Sequence, residues 1–195
     1  MSDDTGEGPA PIALPDGLWF APEVSVEGIS ALEGVERVRS KRIPARLDYT
    51  YTAGEATSRS LAAMKEKRII GEKCPEFGYV YTPPRGASAN SGLPTTEQVE
   101  LAHRAIVTSF CVVNISFIGQ GVEVPYVNAN LLIEGADTTT FGLIQEVDPS
   151  EIEMGMWVEP VWKPDEELTH SWENIKWWKP TGEPNAELDL YREHV

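Results

Sequence analysis

Between residues 99 and 179 the chain offers five runs rich in β-branched and aromatic residues, separated by turn signals and never by a helical pattern. They span 99–118, 122–133, 138–147, 156–162 and 174–179. The second run, VEVPYVNANLLI, alternates apolar and polar residues, the period-two signature of a strand with one buried face. Gly119 and Gly121, Gly135-Ala-Asp137 and Asp148-Pro149 supply turns between the runs. The first run is longer than most strands, so it is expected to bend. Five short strands with no intervening helices predict a mainly β fold, a small antiparallel barrel.

The residues before the barrel read differently. Thr52-Ala-Gly-Glu55 matches a capping box, residues 56–70 are rich in helix formers, and Gly71 is positioned to stop a helix. The apolar stripe of that helix (Ala56, Leu61, Met64) is thin, which leaves one side for a partner or for solvent. Residues 71–92 are dense in Gly, Pro and small residues, with Tyr79-Val-Tyr81 as a short strand ended by Pro83-Pro84. Residues 1–36 read as an extended arm whose Trp19 and Phe20 need cover from this protein or a partner. The arm is acidic, with neither the positive start nor the apolar centre of a signal peptide, and no stretch approaches the roughly 20 apolar residues of a membrane span. The acidic tail at 183–195 reads as loose. The resulting division is an arm (1–36), a basic helical segment (37–71), a ribbon-like region (72–97), a barrel (98–182) and the tail.

Of 195 residues, 31 are acidic and 16 basic, a net charge of −15 that argues against nucleic-acid binding. Residues 37–73 reverse the balance, with ten basic side chains against four acidic ones. Such a segment either meets an anionic ligand or partner, or forms a solvated face paired with the protein's own acids. Two cysteines, Cys74 and Cys111, make no disulfide framework, which points to a reducing cytoplasm.

Catalytic chemistry is sparse. His103, His170 and His194 are the three histidines, and none sits at a metal-ligand spacing. There is no nucleophile elbow and no phosphate-cradling glycine loop. Cys111, between Phe110 and Val112, reads as a small buried hydrophobe. A self-sufficient enzyme is not expected, and no catalytic residue is assigned. Five tryptophans (Trp157, Trp162, Trp172, Trp177, Trp178) fall in the last 40 residues. Aromatics on an OB-type barrel can stack on bases, but residues 146–195 carry thirteen acids against four bases, a field that repels a phosphate backbone. Barrel core plus a protein interface suits these rings better.

Positions 74, 77, 88 and 91 read Cys, Phe, Ser and Ser; four cysteines there would make CxxC-x10-CxxC, a rubredoxin-like zinc ribbon. With the preceding helix, the Pro83-Pro84-Arg85-Gly86 stretch, the lead-in Leu93-Pro94-Thr-Thr-Glu97 and the closing Trp178-Lys-Pro-Thr-Gly182, the chain resembles the acyl-CoA-associated OB-fold proteins with an N-terminal zinc ribbon. The resemblance covers about residues 48–184. It implies a five-stranded OB-fold barrel preceded by a helical segment and a ribbon, here degenerate. Phe77, Ser88 and Ser91 are not zinc ligands, so no metal is expected, and the ribbon is expected to be held by apolar packing of Phe77, Tyr79, Tyr81 and the prolines.

The same resemblance implies an accessory role beside thiolase-superfamily enzymes, including aldolases that shorten steroid side chains as CoA thioesters. In such complexes the catalytic residues belong to the partner, and the OB-fold chain stabilises it and helps form the acyl-CoA channel. The expected assembly is a heterotetramer with two copies of each chain. If coenzyme A touches this chain, Arg59, Lys65, Arg68 and Arg85 are the candidate phosphate contacts; otherwise they pair with acids across an interface. The rival reading is a free-standing acyl-CoA binding module.

Overall fold

The computed structural model describes residue 50 and residues 52–116 and 121–195. The expected arm with Trp19 and Phe20, the basic residues at 37–46 and the turn at Gly119 lie outside the described residues. Besides short 3-10 turns, the described elements are one α-helix, α1 (Gly54–Lys65), and eight strands: β1 (Ile70–Lys73), β2 (Val80–Tyr81), β3 (Glu97–Glu100), β4 (Ala105–Val113), β5 (Tyr126–Ile133), β6 (Thr139–Ile144), β7 (Trp157–Trp162) and β8 (Ile175–Pro180).

The last five strands close into a barrel in the order β4-β5-β6-β8-β7. Counted from β4 this is 1-2-3-5-4, consistent with an OB-fold. All pairings are antiparallel except β6 with β8, which run parallel at the single pair Ile144–Trp178. The alternation read in β5 decides what fills the interior: Val127, Ala129, Leu131 and Ile133 are buried, while Tyr126, Asn128 and Asn130 are half-exposed. Val107, Ile144, Val158 and Trp178 complete this core. The Trp178 indole reaches it because residue 142 is glycine. A Cβ there would stand 2.7 Å from Trp178 Cδ1 and nearer still to Leu131.

β1, β2 and β3 form a separate three-stranded sheet in the order β2-β1-β3. The long run at 99–118 is therefore two strands rather than one bent strand. Its first residues belong to β3, which pairs with β1 (Gly71 opposite Val99), and the barrel strand starts only at Ala105. The bend that remains is a bulge between Val107 and Ser109.

The helix departs from expectation at both ends. Its N-cap is Ala53, with no side-chain cap, and Glu55 pairs with Arg59 instead of reaching back. It ends at Lys65, and Lys67 leaves the helix with φ 55. Helix propensity loses here to burial, because Ile69 and Ile70 are needed in the core and Gly71 lies inside β1. The inward face is small (Ala56, Ser60, Ala63, Met64), so Leu61 is only half-buried. Asn174, fully buried, clamps the C-terminal turn by donating to the Met64 carbonyl at 3.0 Å.

The tail is not loose. Ala186 N–H donates to the Gly155 carbonyl at 2.8 Å, and Tyr191 is buried against Ile106 and Leu132 beside Trp157. Its apolar ring outweighs the acidic composition on which the opposite expectation rested.

Candidate functional site

The described residues offer three regions to weigh: the two turns of the ribbon sheet, a cleft at the start of α1, and the exposed apolar surface.

The turns begin at Cys74, just past β1, and at Ser88. Each repeats the same backbone bonds. Cys74 N–H donates to Tyr79 O at 2.7 Å and Ser88 N–H to Leu93 O at 2.8 Å; Gly78 N–H donates to Cys74 O and Gly92 N–H to Ser88 O, both at 2.9 Å. The two glycines have φ 77 and 72, conformations a side chain would oppose. Three of the four sequence-predicted positions converge. Cys74, fully buried, has its sulfur 3.9 Å from Ser91 Oγ, and Ser88, also buried, lies 3.2 Å from the Tyr81 hydroxyl. Burial is the largest single influence on the Cys74 thiol and pushes its pKa up. Hydrogen bonds from Ser88, Ser91 and the Phe77 and Glu76 amides together outweigh it and bring the thiol down to about 7.

Phe77 does not converge; it is 53% exposed, and Tyr79 is exposed beside it, with ring centroids 6.4 Å apart. The apolar packing expected of this region is thus corrected. Tyr81 and Pro84 are buried, but polar groups hold the sheet. Glu72, fully buried, accepts from Arg59 Nε at 3.0 Å, from Arg59 Nη2, and from Thr95 Oγ1 at 3.0 Å. Thr82 N–H donates to Thr138 Oγ1 at 2.9 Å, tying the sheet to the barrel.

That network decides what the four cations can do. Arg59 is engaged by Glu72 and by Glu55 at 2.6 Å, and the Glu72 bond holds its pKa above the ordinary guanidinium value. Arg68 bridges Glu100 at 2.9 Å and Glu66 at 3.2 Å. Lys65 and Arg85 are exposed and have no ion pair among the described residues. The four do not form one cluster. Arg59 and Arg85 line a cleft of about 280 Å³ with Ala53–Thr57, Gly86 and Pro94–Thr96, whereas Lys65 and Arg68 lie at the far end of α1.

Of the five tryptophans expected at core and interface, Trp178 is buried and the other four are half-buried. Trp178 is core, and Trp162 and Trp172 pack against it. Trp157 lies under the Arg104 guanidinium at 4.3 Å, and Trp177 donates to Glu146 at 2.7 Å. The exposed apolar groups among the described residues include Phe141 on the outside of β6, 75% exposed, Ile115 beyond β4, Phe77, Tyr79 and Leu93 around the ribbon turns, and Met154, Leu188 and Leu190 elsewhere. Composition directed attention to tryptophan; Phe77, Tyr79 and Leu93 lie in segments singled out from the sequence, whereas Phe141 carries no motif and only its register opposite Asn130 shows that it faces outward. Cys111, expected buried, is exposed, because the bulge before Ser109 places it on the outer face opposite Asn128. Among the described residues no group of three or more His, Cys, Asp or Glu could hold a metal ion, and no helix is long and apolar enough to cross a membrane.

No family model and no curated protein matches the chain. Among solved structures, a protein of unknown function from the DUF35 family of Sulfolobus solfataricus aligns with TM-score 0.49 and 17% identity, covering 65% of this chain and 84% of that one. A second structure, described as the Ltp2-ChsH2(DUF35) aldolase, aligns at 21% identity over 64% of this chain and 93% of its own. With a TM-score of 0.50 to that aldolase chain, the present chain is similar to it in fold.

Proposed function

We propose that the chain is a non-catalytic accessory subunit that binds and stabilises a thiolase-fold enzyme, a thiolase or a steroid side-chain aldolase, acting on acyl-CoA thioesters. The observation that carries this reading is the set of exposed apolar side chains: Phe141, Ile115, Phe77, Tyr79 and Leu93 are exposed, while Trp178 is buried and Trp157, Trp162, Trp172 and Trp177 are half-buried. Exposed aromatic groups of this size fit the buried centre of a protein interface. The kind of partner is inferred from the fold, which is similar to that of a chain in the structure described as the Ltp2-ChsH2(DUF35) aldolase.

The channel for the thioester forms jointly. A cleft of about 280 Å³ lies at the lower edge of small-molecule pockets, roughly 300–1,000 Å³, and is too small for a whole acyl-CoA. Arg85, exposed at its rim, supplies a cation for a phosphate, with Lys65 as a second, more distant one; Arg59 and Arg68 are spent on Glu72 and Glu100. Co-expression with thiolase-fold neighbours followed by native mass spectrometry tests the reading. A heterotetramer with two copies of each chain is expected, and a chain that stays monomeric beside every such partner overturns it. Micromolar binding of a CoA ester by the chain alone would favour the free-standing module instead.

A further inference from the structure

We infer that the paired turns at Cys74 and Ser88 are metal-knuckle turns whose centre is held by hydrogen bonds among Cys74, Ser88, Ser91 and Tyr81 in place of a zinc ion. The two turns are superposable in their bonding, not merely similar in composition. In each, the first N–H donates to the carbonyl five residues on, the fifth N–H returns to the first carbonyl, and a glycine with positive φ occupies the fifth position. In each, the fourth N–H also donates to the first side chain: Phe77 N–H to Cys74 Sγ at 3.5 Å, and Ser91 N–H to Ser88 Oγ at 3.3 Å. Amides aimed in this way at a heteroatom favour its negative form, which is what a metal-bound thiolate needs.

The spacing across the centre also fits. A tetrahedral zinc with Zn–S bonds of about 2.3 Å separates its sulfurs by about 3.8 Å. Cys74 Sγ and Ser91 Oγ stand 3.9 Å apart. The donor set does not fit zinc, however. A structural site takes four N or S ligands, and here there is one thiol. The Ser88 hydroxyl is already occupied by Tyr81 OH and the Asn90 and Ser91 amides, and Phe77 has no donor and faces solvent. The sheet therefore folds without metal, on a backbone that still presents the four ligand positions.

The test compares the full chain with the F77C/S88C/S91C triple variant, both expressed with zinc in the medium. Wild type is expected to carry well below one zinc per chain by elemental mass spectrometry, with a melting temperature that EDTA leaves unchanged. The variant is expected to hold one zinc per chain, to melt lower when chelated, and to give the thiolate charge-transfer bands of tetrahedral cobalt on Co²⁺ exchange. Stoichiometric zinc in wild type, or a folded variant that takes none, overturns the inference. Should the variant not fold, Ser88→Ala and Tyr81→Phe in wild type decide. Both are expected to lower the melting temperature and speed amide exchange in residues 70–100, and no change in either overturns the inference.

Discussion

The ribbon sheet and the barrel solve the same problem with opposite chemistry. The barrel buries Val107, Val127, Leu131, Ile133, Ile144, Val158 and Trp178 against one another. Around the ribbon sheet the fully or nearly fully buried side chains include Glu72, Thr82, Ser88 and Thr95. A sheet with strands of four, two and four residues cannot enclose enough apolar area to offset its ordering entropy. Ile70, Val80 and Tyr81 bury apolar area, Val80 within the barrel's own core cluster, and directed bonds hold the rest, each dependent on its partner. The barrel should therefore tolerate loss of shape better than loss of volume, and the ribbon should respond chiefly to loss of a hydrogen-bond partner.

The largest expected effect is in the barrel. Trp178→Ala should cost roughly 3–5 kcal/mol and lower amide protection throughout the barrel, read by denaturant unfolding with hydrogen exchange. Arg59→Met leaves the Glu72 carboxylate buried without its cation. Because the Arg59 side chain is 23% exposed, the loss should lie near the low end of the buried-pair range, about 3 kcal/mol. Exchange should rise in residues 70–100 while β5 stays protected, and equal loosening of both regions would erase the contrast. Gly142→Ala overpacks Trp178 and Leu131 and should cost roughly 1–3 kcal/mol with no change in the ribbon amides.

The smallest effect is a pH dependence in the ribbon. The Cys74 thiol sits at about 7 when folded, below its ordinary value of 9.0, so the folded state favours the thiolate. Its contribution is fully present above 9 and lost as pH falls through 7. The stability advantage of wild type over Cys74→Ala should accordingly grow as pH rises across that window. Paired urea melts at several pH values measure it, and a flat difference would remove Cys74 from the network.

The same contrast explains what could be read from the residues alone. The barrel was legible because Val127, Ala129, Leu131 and Ile133 sit at period two, and burial acts on each residue independently of distant ones. Positions 74, 77, 88 and 91 came from the resemblance rather than from any local pattern, and the fold adds that three of them converge and that a glycine closes each turn. The forces holding the ribbon were not legible. Glu72 meets Arg59 across 13 residues and Thr95 across 23, and no local pattern marks a long-range charge pair. Nor did composition distinguish the end of α1, where Ile69 and Ile70 continue a helix-forming run but belong to a sheet. Of the four cations, propensity and charge named all equally. The acids that claim Arg59 and Arg68 became visible only with the fold.

The parallel meeting of β6 and β8 at Ile144–Trp178, reinforced by the Gln145 N–H on the Trp178 carbonyl at 2.9 Å, is one of two narrow seams in the cylinder; the other is the antiparallel pairing of β4 with β7 at Ala105–Val158 and Ile106–Trp157. On one side lies the meander β4-β5-β6, on the other the β7-β8 hairpin, each assembled from neighbours in sequence. Zipping within each half closes connections of at most about a dozen residues, whereas joining them brings together segments more than thirty residues apart. Trp178 thus stands at one of the two junctions where the half-cylinders meet, filling the core and closing the wall with the same residue.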